Sequence, residues 1–296
     1  MTVSVLILIA CLQTLTAPAV QPEALVDDVR SLESATSNEQ RFDALTALLR
    51  ARKVAFEVQP FTIEKAIGKE PRTSGRNVIA SFGDGADEIV VGAHYDATRL
   101  VDGSLSRGAV DNAASSVILL KLAESLVGEK LPMRVKVIWF DMEELGLIGS
   151  REYLTQRGQS RVVAMLNLDI NAYGDTILFG PSERDDSAAL RRSLLKTCAE
   201  QDIGCLRFAA MPPGDDRSFV AAGVPTLSIG MLPAVEAHQL WLMMNGGPNA
   251  GLAQGTAPEI MRTIHTPADS SSKVSGEAME RGVRFVRALV GEIVRR

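Results

Sequence analysis

Short β-branched runs alternate with helix-length segments along most of this chain, and that alternation restricts the fold more than any other feature of the sequence. The apolar runs fall at residues 54–61, 77–82, 88–93, 134–140, 162–170, 176–179, 206–210 and 226–229. They have the length and composition of strands, and turn residues such as Gly83-Asp84-Gly85 and Gly223-Val224-Pro225 separate them. Helical patterns lie between. Residues 23–52 carry helical periodicity, with a cap or break at Ser37-Asn38, and residues 112–126, 152–157 and 187–201 follow. A closing helix from Ser275 to Arg295 has Glu277 in its first turn and Arg295 in its last, as the helix dipole favours. Such a chain is expected to fold as one α/β domain, a central mixed, mostly parallel sheet with helices on both faces. Residues 231–264, rich in Met, Gly, Asn and Pro, show little periodicity and are too long for a passive connection, so they are expected to form a lid or pocket wall.

Charge and composition exclude several function classes. The 296 residues carry 31 Lys plus Arg against 36 Asp plus Glu, a formal balance of −5 with no basic run, which excludes nucleic acid held through the net field. Three cysteines cannot build a cysteine-based zinc cage. The apolar run at residues 3–12 falls short of the about 20 residues a membrane-spanning helix needs and leads into Ala17-Pro18-Ala19, a small-x-small cleavage pattern. Residues 1–19 therefore read as a signal peptide without a basic start, leaving residues 20–296 as an exported domain, periplasmic or extracellular, with no stable membrane span. Leu8-Ile9-Ala10-Cys11 resembles a lipoprotein box, so anchoring at Cys11 is the alternative. Cys198 and Cys205 then remain, either as a local disulfide or as two unrelated buried thiols.

In open α/β sheets ligands gather at the carboxyl ends of strands. Those ends carry His94-Tyr95-Asp96, Asp141-Met142-Glu143-Glu144 and Asn167-Leu168-Asp169, while Asp111-Asn112 and His265-Thr266-Pro267-Ala268-Asp269 stand at helix entrances. Taken singly, Asp111 reads as a helix cap, His265 as an ordinary histidine and the paired glutamates as solvated groups. Five such segments converging on one rim, in a chain with only three histidines, point to a metal site.

These segments, with Glu144 running on into Leu145-Gly146-Leu147-Ile148-Gly149-Ser150, resemble the motifs of the two-zinc exopeptidase family that includes secreted leucine aminopeptidases, peptidase family M28. The resemblance covers roughly residues 75–290. It implies a zinc-exopeptidase fold of the phosphorylase/hydrolase type. It also implies two zinc ions per chain, one held by His94 and Asp169, the other by Glu144 and His265, with Asp111 bridging. Asp96 would orient the His94 ring, and Glu143 would be the general base for a bridging hydroxide. The substrate implied is a peptide with a free N-terminus, cleaved at its first bond. The adjacency of Glu143 and Glu144 agrees: on a continuing strand they would face opposite ways, so both reach one site only if the strand turns, which Gly146 and Gly149 permit.

Arg217 stands where relatives often carry a histidine; it either pairs with Asp215 or Asp216 or favours a carboxylate-bearing substrate. His238 reads as a loop histidine, Tyr173 as a candidate donor to a developing oxyanion, and Leu240 to Met243 as either pocket lining or loop packing. The competing functions are a glutaminyl-cyclase-like acyltransferase with one zinc, a carboxypeptidase or amidohydrolase of the same fold, and a non-catalytic receptor-like module, which the full ligand set disfavours.

Overall fold

The structure, a computed structural model, describes residues 21–158, 160–180, 187–247 and 257–295. The expected signal peptide and Cys11 lie outside them. In chain order the elements are α1 (Pro22–Glu33), α2 (Asn38–Ala51), β1 (Glu57–Thr62), β2 (Ser74–Phe82), β3 (Asp87–His94), α3 (Ala114–Leu126), β4 (Arg134–Phe140), α4 (Ile148–Gln156) and β5 (Arg161–Leu168). The second half adds β6 (Thr176–Gly180), α5 (Ala188–Glu200), β7 (Gly204–Arg207), α6 (Asp216–Ala221), β8 (Thr226–Leu232), α7 (Ala234–Asn245), α8 (Ile260–Thr263) and α9 (Gly276–Val294). Among the described residues no helix is long and apolar enough to cross a membrane.

Eight strands form one sheet in the order β1-β2-β4-β3-β5-β8-β6-β7. The four middle strands, β4, β3, β5 and β8, run parallel, and antiparallel pairings flank them at β2/β4 and β6/β8. Strand alternation fills both faces. Ile89, Val91 and Ala93 of β3 and Val135, Val137 and Trp139 of β4 join α1, α3 and α9 in the main core. Val90, Ile138 and Phe140 point the other way, into a second cluster with Tyr153 of α4 and Phe219. Gly92 leaves room for Phe140, since a Cβ there would stand 2.4 Å from its ring.

This topology creates the crevice. From β3 the chain crosses through α3 to β4 on one side, then passes back beyond β3 through α4 to β5 on the other. Connections that leave in opposite directions open a gap at the carboxyl end of the strand between them. His94 is the last residue of β3.

Two expectations need correction. Residues 231–264 are not an aperiodic loop: β8 runs on to Leu232 and α7 follows, entered from Pro233, while residues 248–256 lie outside the described set. Ala, Glu, Gln, Leu and Met are good helix formers. The pattern was faint because α7 buries only Glu236, Ala237 and Leu240. Second, α3 starts at Ala114 rather than residue 112, because Asp111 and Asn112 have non-helical backbone angles and share a cis peptide bond.

Cys198 of α5 and Cys205 of β7 form a disulfide. Loop-closure entropy assigns so short a loop about 2.5 kcal/mol. Replacing both cysteines with serine is expected to cost about that much in urea unfolding and to leave kcat unchanged. An unchanged midpoint would mean the bridge holds nothing the fold does not already hold.

Candidate metal centre

Each side chain at the crevice is placed by a separate device. The His94 ring is buried; its Nδ1 lies 3.2 Å from the Asp96 carbonyl oxygen and 3.4 Å from Asp96 Oδ1. With Nδ1 turned to Asp96, Nε2 is the ring nitrogen left to face a cation. That nitrogen is 3.1 Å from Asp111 Oδ1 and 3.8 Å from Asp169 Oδ1. Asp169 follows directly on β5, and Asn112 ties this strand end to the Asp111 turn by donating to the Leu168 carbonyl and accepting from Ile170 N–H.

Asp111 is held from behind. Both oxygens of buried Asp269 accept backbone hydrogen bonds, from Val110 N at 2.6 Å and Asp111 N at 3.2 Å. The second Asp111 oxygen, Oδ2, lies 3.1 Å from Nε2 of His265, and that same nitrogen is 3.1 Å from Glu144 Oε2. Two ligand groups therefore meet at Asp111: His94, Asp111 and Asp169 form one, and Asp111, Glu144 and His265 the other, each with donor atoms within 4.8 Å of one another.

Glu143 and Glu144 reach the crevice because the chain turns directly after β4. Met142, buried and at φ +56°, makes the turn four residues earlier than Gly146 suggests. Gly149 matters for a different reason: a Cβ there would stand 2.3 Å from the Asp141 carbonyl oxygen. Asp96 fixes the result, accepting Glu143 N–H at Oδ1 (3.1 Å) and Glu144 N–H at Oδ2 (3.3 Å). It is thus a positioning residue for both the ring and the turn, rather than a group that meets substrate. Glu143 belongs to neither ligand group.

The electrostatics fit cations. Burial disfavours a charged Asp111, yet hydrogen bonds from His265 and His94 outweigh it and hold the carboxyl below its ordinary range. Burial pushes Glu144 up to about 7, with the Asp111 charge adding to it. His265 is raised to about 11 by its bonds to Asp111 and Glu144. His94 is raised despite burial, by Glu143, Asp111, Asp169 and Asp96. Protons on the imidazoles here stand in for positive charge that the carboxylates require, and metals displace such protons. Glu144 Oε1 and Asp169 Oδ1 are buried without a hydrogen-bond partner among the described residues, so the donor set is incomplete without a cation. Nitrogen and carboxylate donors in groups of three suit zinc with an open position.

All seven site residues expected from the sequence come together here. Several supporting residues had no expected role. Arg41 is fully buried and donates to the carbonyls of Tyr95 (2.6 Å), Arg107 (2.8 Å) and Gly108 (3.2 Å). Its signal was an arginine in register with Leu45 and Leu49 on the apolar face of α2. Asp215 and Asp216 are buried too, and burial is the main reason both are pushed up to about 7. Arg217 is exposed and, among the described residues, forms no ion pair with either; it reaches only the Met211 carbonyl at 3.5 Å. Tyr173 donates to Glu236 and so is committed elsewhere. His238 sits exposed on α7, bonded to the Ala234 carbonyl. Leu240 packs in the core and also lines a small apolar hollow of about 30 Å³ beside Asp169, with Ile170, Met211 and Leu232.

The same arrangement connects the chain to known proteins. Leucine aminopeptidase 2 of Trichophyton rubrum is 36% identical over 235 residues, 74% of this chain and 45% of that protein; the chain spans less than half the length of the curated relatives it matches. In fold it is similar to a zinc aminopeptidase from Bacillus subtilis (TM-score 0.71, 14% identity, 93% of this chain and 95% of that one). It is equally similar to a glutaminyl cyclase from Porphyromonas gingivalis (TM-score 0.72, 17% identity, 94% and 100%). The model of peptidase family M28 matches residues 77–290, a span that holds every residue of both ligand groups, and the chain belongs to that family.

Proposed function

We propose that the protein is an exported metallo-aminopeptidase that holds two zinc ions and cleaves the first peptide bond of a substrate with a free N-terminus. One observation carries this reading: Asp111 offers one oxygen to each of two histidine-carboxylate pairs, while Glu143 stands beside them and ligates neither. His94 and Asp169 would hold one ion, His265 and Glu144 the other, with Asp111 shared. Bound there, zinc supplies Lewis acidity, which polarises a carbonyl and acidifies water.

The protein's own groups do the rest. Glu143 takes the proton of the attacking water and returns it to the leaving amine. Asp96 keeps the His94 ring and the Glu143-Glu144 turn in register, so that base and ligands share one geometry. Asp215 and Asp216, buried and within electrostatic reach of Asp169, add negative field at that end of the centre, which favours an ammonium over a blocked N-terminus. The apolar hollow beside Asp169 suits a small apolar side chain on the amino side of the cleaved bond. Export is supported by the disulfide, since cytosolic thiols are kept reduced.

The cyclase reading draws support from the equally good fold match, and metal counting separates the two. Purified protein should contain two zinc ions per chain, cleave aminoacyl-anilides, spare their N-acetylated counterparts, and lose activity on chelation. One zinc together with ammonia release from N-terminal glutaminyl peptides would replace the peptidase by the cyclase.

A further inference from the structure

A second cleft, of about 360 Å³, adjoins the centre on the Glu144 side, whereas the apolar hollow lies at Asp169. Asp96, Glu144 and Leu145 line it at the site; residues 67–70 and 97–101 line the remainder. Both of these segments are anchored. Asn38 donates to the Ala97 carbonyl (3.1 Å) and to Glu70 Oε2 (3.2 Å), and it accepts from Ala97 N–H (2.9 Å). Residues 98–106 fold back on themselves through Leu100 N–H to Ser104 O (2.8 Å) and Ser106 N–H to Thr98 O (2.9 Å).

The charge on this lining is uneven. Glu70 is divided among Arg72 (3.1 Å), Arg99 (3.2 Å) and Asn38. Lys69 donates only to neutral carbonyls, those of Leu100 and Val101, and among the described residues no carboxylate lies within 4 Å of its ammonium. Lys69, Ile67 and Val101 are exposed, so the cleft is open to solvent and offers an apolar surface beside a positive charge. The complementary ligand is an anion joined to an apolar body, and the cleft's volume sits at the small end of small-ligand pockets.

We propose that this cleft receives the carboxyl-side portion of a short peptide, and that Lys69, with Arg99 beside it, binds the peptide's terminal carboxylate. The proposal rests on the aminopeptidase reading, because cleavage of the first peptide bond at the centre releases the carboxyl-side portion as the leaving amine, and the cleft on the Glu144 side is open to it. It makes the enzyme selective for dipeptides and tripeptides over longer or C-terminally amidated chains.

The test compares leucyl-glycine, leucyl-glycinamide and leucine p-nitroanilide with wild type, Lys69→Gln and Lys69→Arg. Wild type should prefer the free acid over the amide by about tenfold in kcat/KM, the scale of one charge-assisted hydrogen bond. Lys69→Gln should erase that preference through KM, Lys69→Arg should keep it, and both should cleave the anilide like wild type. An acid-to-amide ratio near one in wild type, or one that survives Lys69→Gln, overturns the subsite while anilide cleavage leaves the peptidase reading standing. A wild type that cleaves none of the three overturns the peptidase reading and the subsite with it.

Discussion

Glu143→Ala is expected to lower kcat for amide hydrolysis by about 10²–10⁴-fold, the range for removing a positioned general base, with the metal content of the purified protein unchanged. The second half of that expectation distinguishes the base from its neighbour. Glu144 is 3.1 Å from His265 within a ligand group, whereas Glu143 is in none, although the two are adjacent in sequence. What separates their roles is the turn at Met142 and the grip of Asp96 on both backbone N–H groups. Burial, with the Asp215, Asp169 and Glu144 carboxylates adding to it against the pull of His94, holds the Glu143 pKa above the ordinary carboxylate range. Glu143→Gln serves as the isosteric control: it preserves volume and one acceptor oxygen but cannot take up a proton, so it should be as slow as alanine. Near wild-type turnover in either variant would remove Glu143 from the mechanism. Loss of zinc along with activity would make it a ligand.

The ligand set was legible in the sequence because strand ends and helix entrances are where an open α/β sheet collects chemistry. His94, Asp169 and the Glu143-Glu144 pair each follow a β-branched run, so their convergence followed from the parallel arrangement of β3, β4 and β5. The supports were not legible. Asp269 acts through two backbone N–H groups about 160 residues away in sequence, a partnership that only tertiary folding creates. Arg41 falls in register with the apolar face of α2, but only the folded chain brings its guanidinium to three carbonyls at the Tyr95 and Arg107-Gly108 turns. Met142 gave no sign either, since a positive φ is expected of glycine and the nearby Gly146 drew the inference to itself. Helix α7 was missed for the opposite reason: its propensity was good but its buried stripe is narrow.

Asp111→Asn is expected to empty both positions together, leaving less than one zinc per chain and lowering kcat/KM by more than about 10³-fold. Each Asp111 oxygen serves a different imidazole, His94 at Oδ1 and His265 at Oδ2, both at 3.1 Å, so removing one anionic oxygen deprives both groups of shared charge. His265→Ala, by contrast, breaks only the outer group, and its half-exposed ring leaves little cavity behind. That variant should retain about one zinc. Stability offers an independent readout. A ligand bound only to the folded state contributes about 2.7 kcal/mol when its free concentration is 100 times Kd, which for a chain this size is roughly 5 °C per site. Chelation should therefore lower the thermal midpoint of the wild type by several degrees, that of His265→Ala by less, and that of Asp111→Asn hardly at all. Because Asp111 is anchored by Asp269 through its backbone rather than its carboxylate, the asparagine variant should keep the turn and fold normally without metal. A variant that holds two zinc ions, or a wild type whose midpoint ignores chelation, would show that Asp111 does not join the two groups.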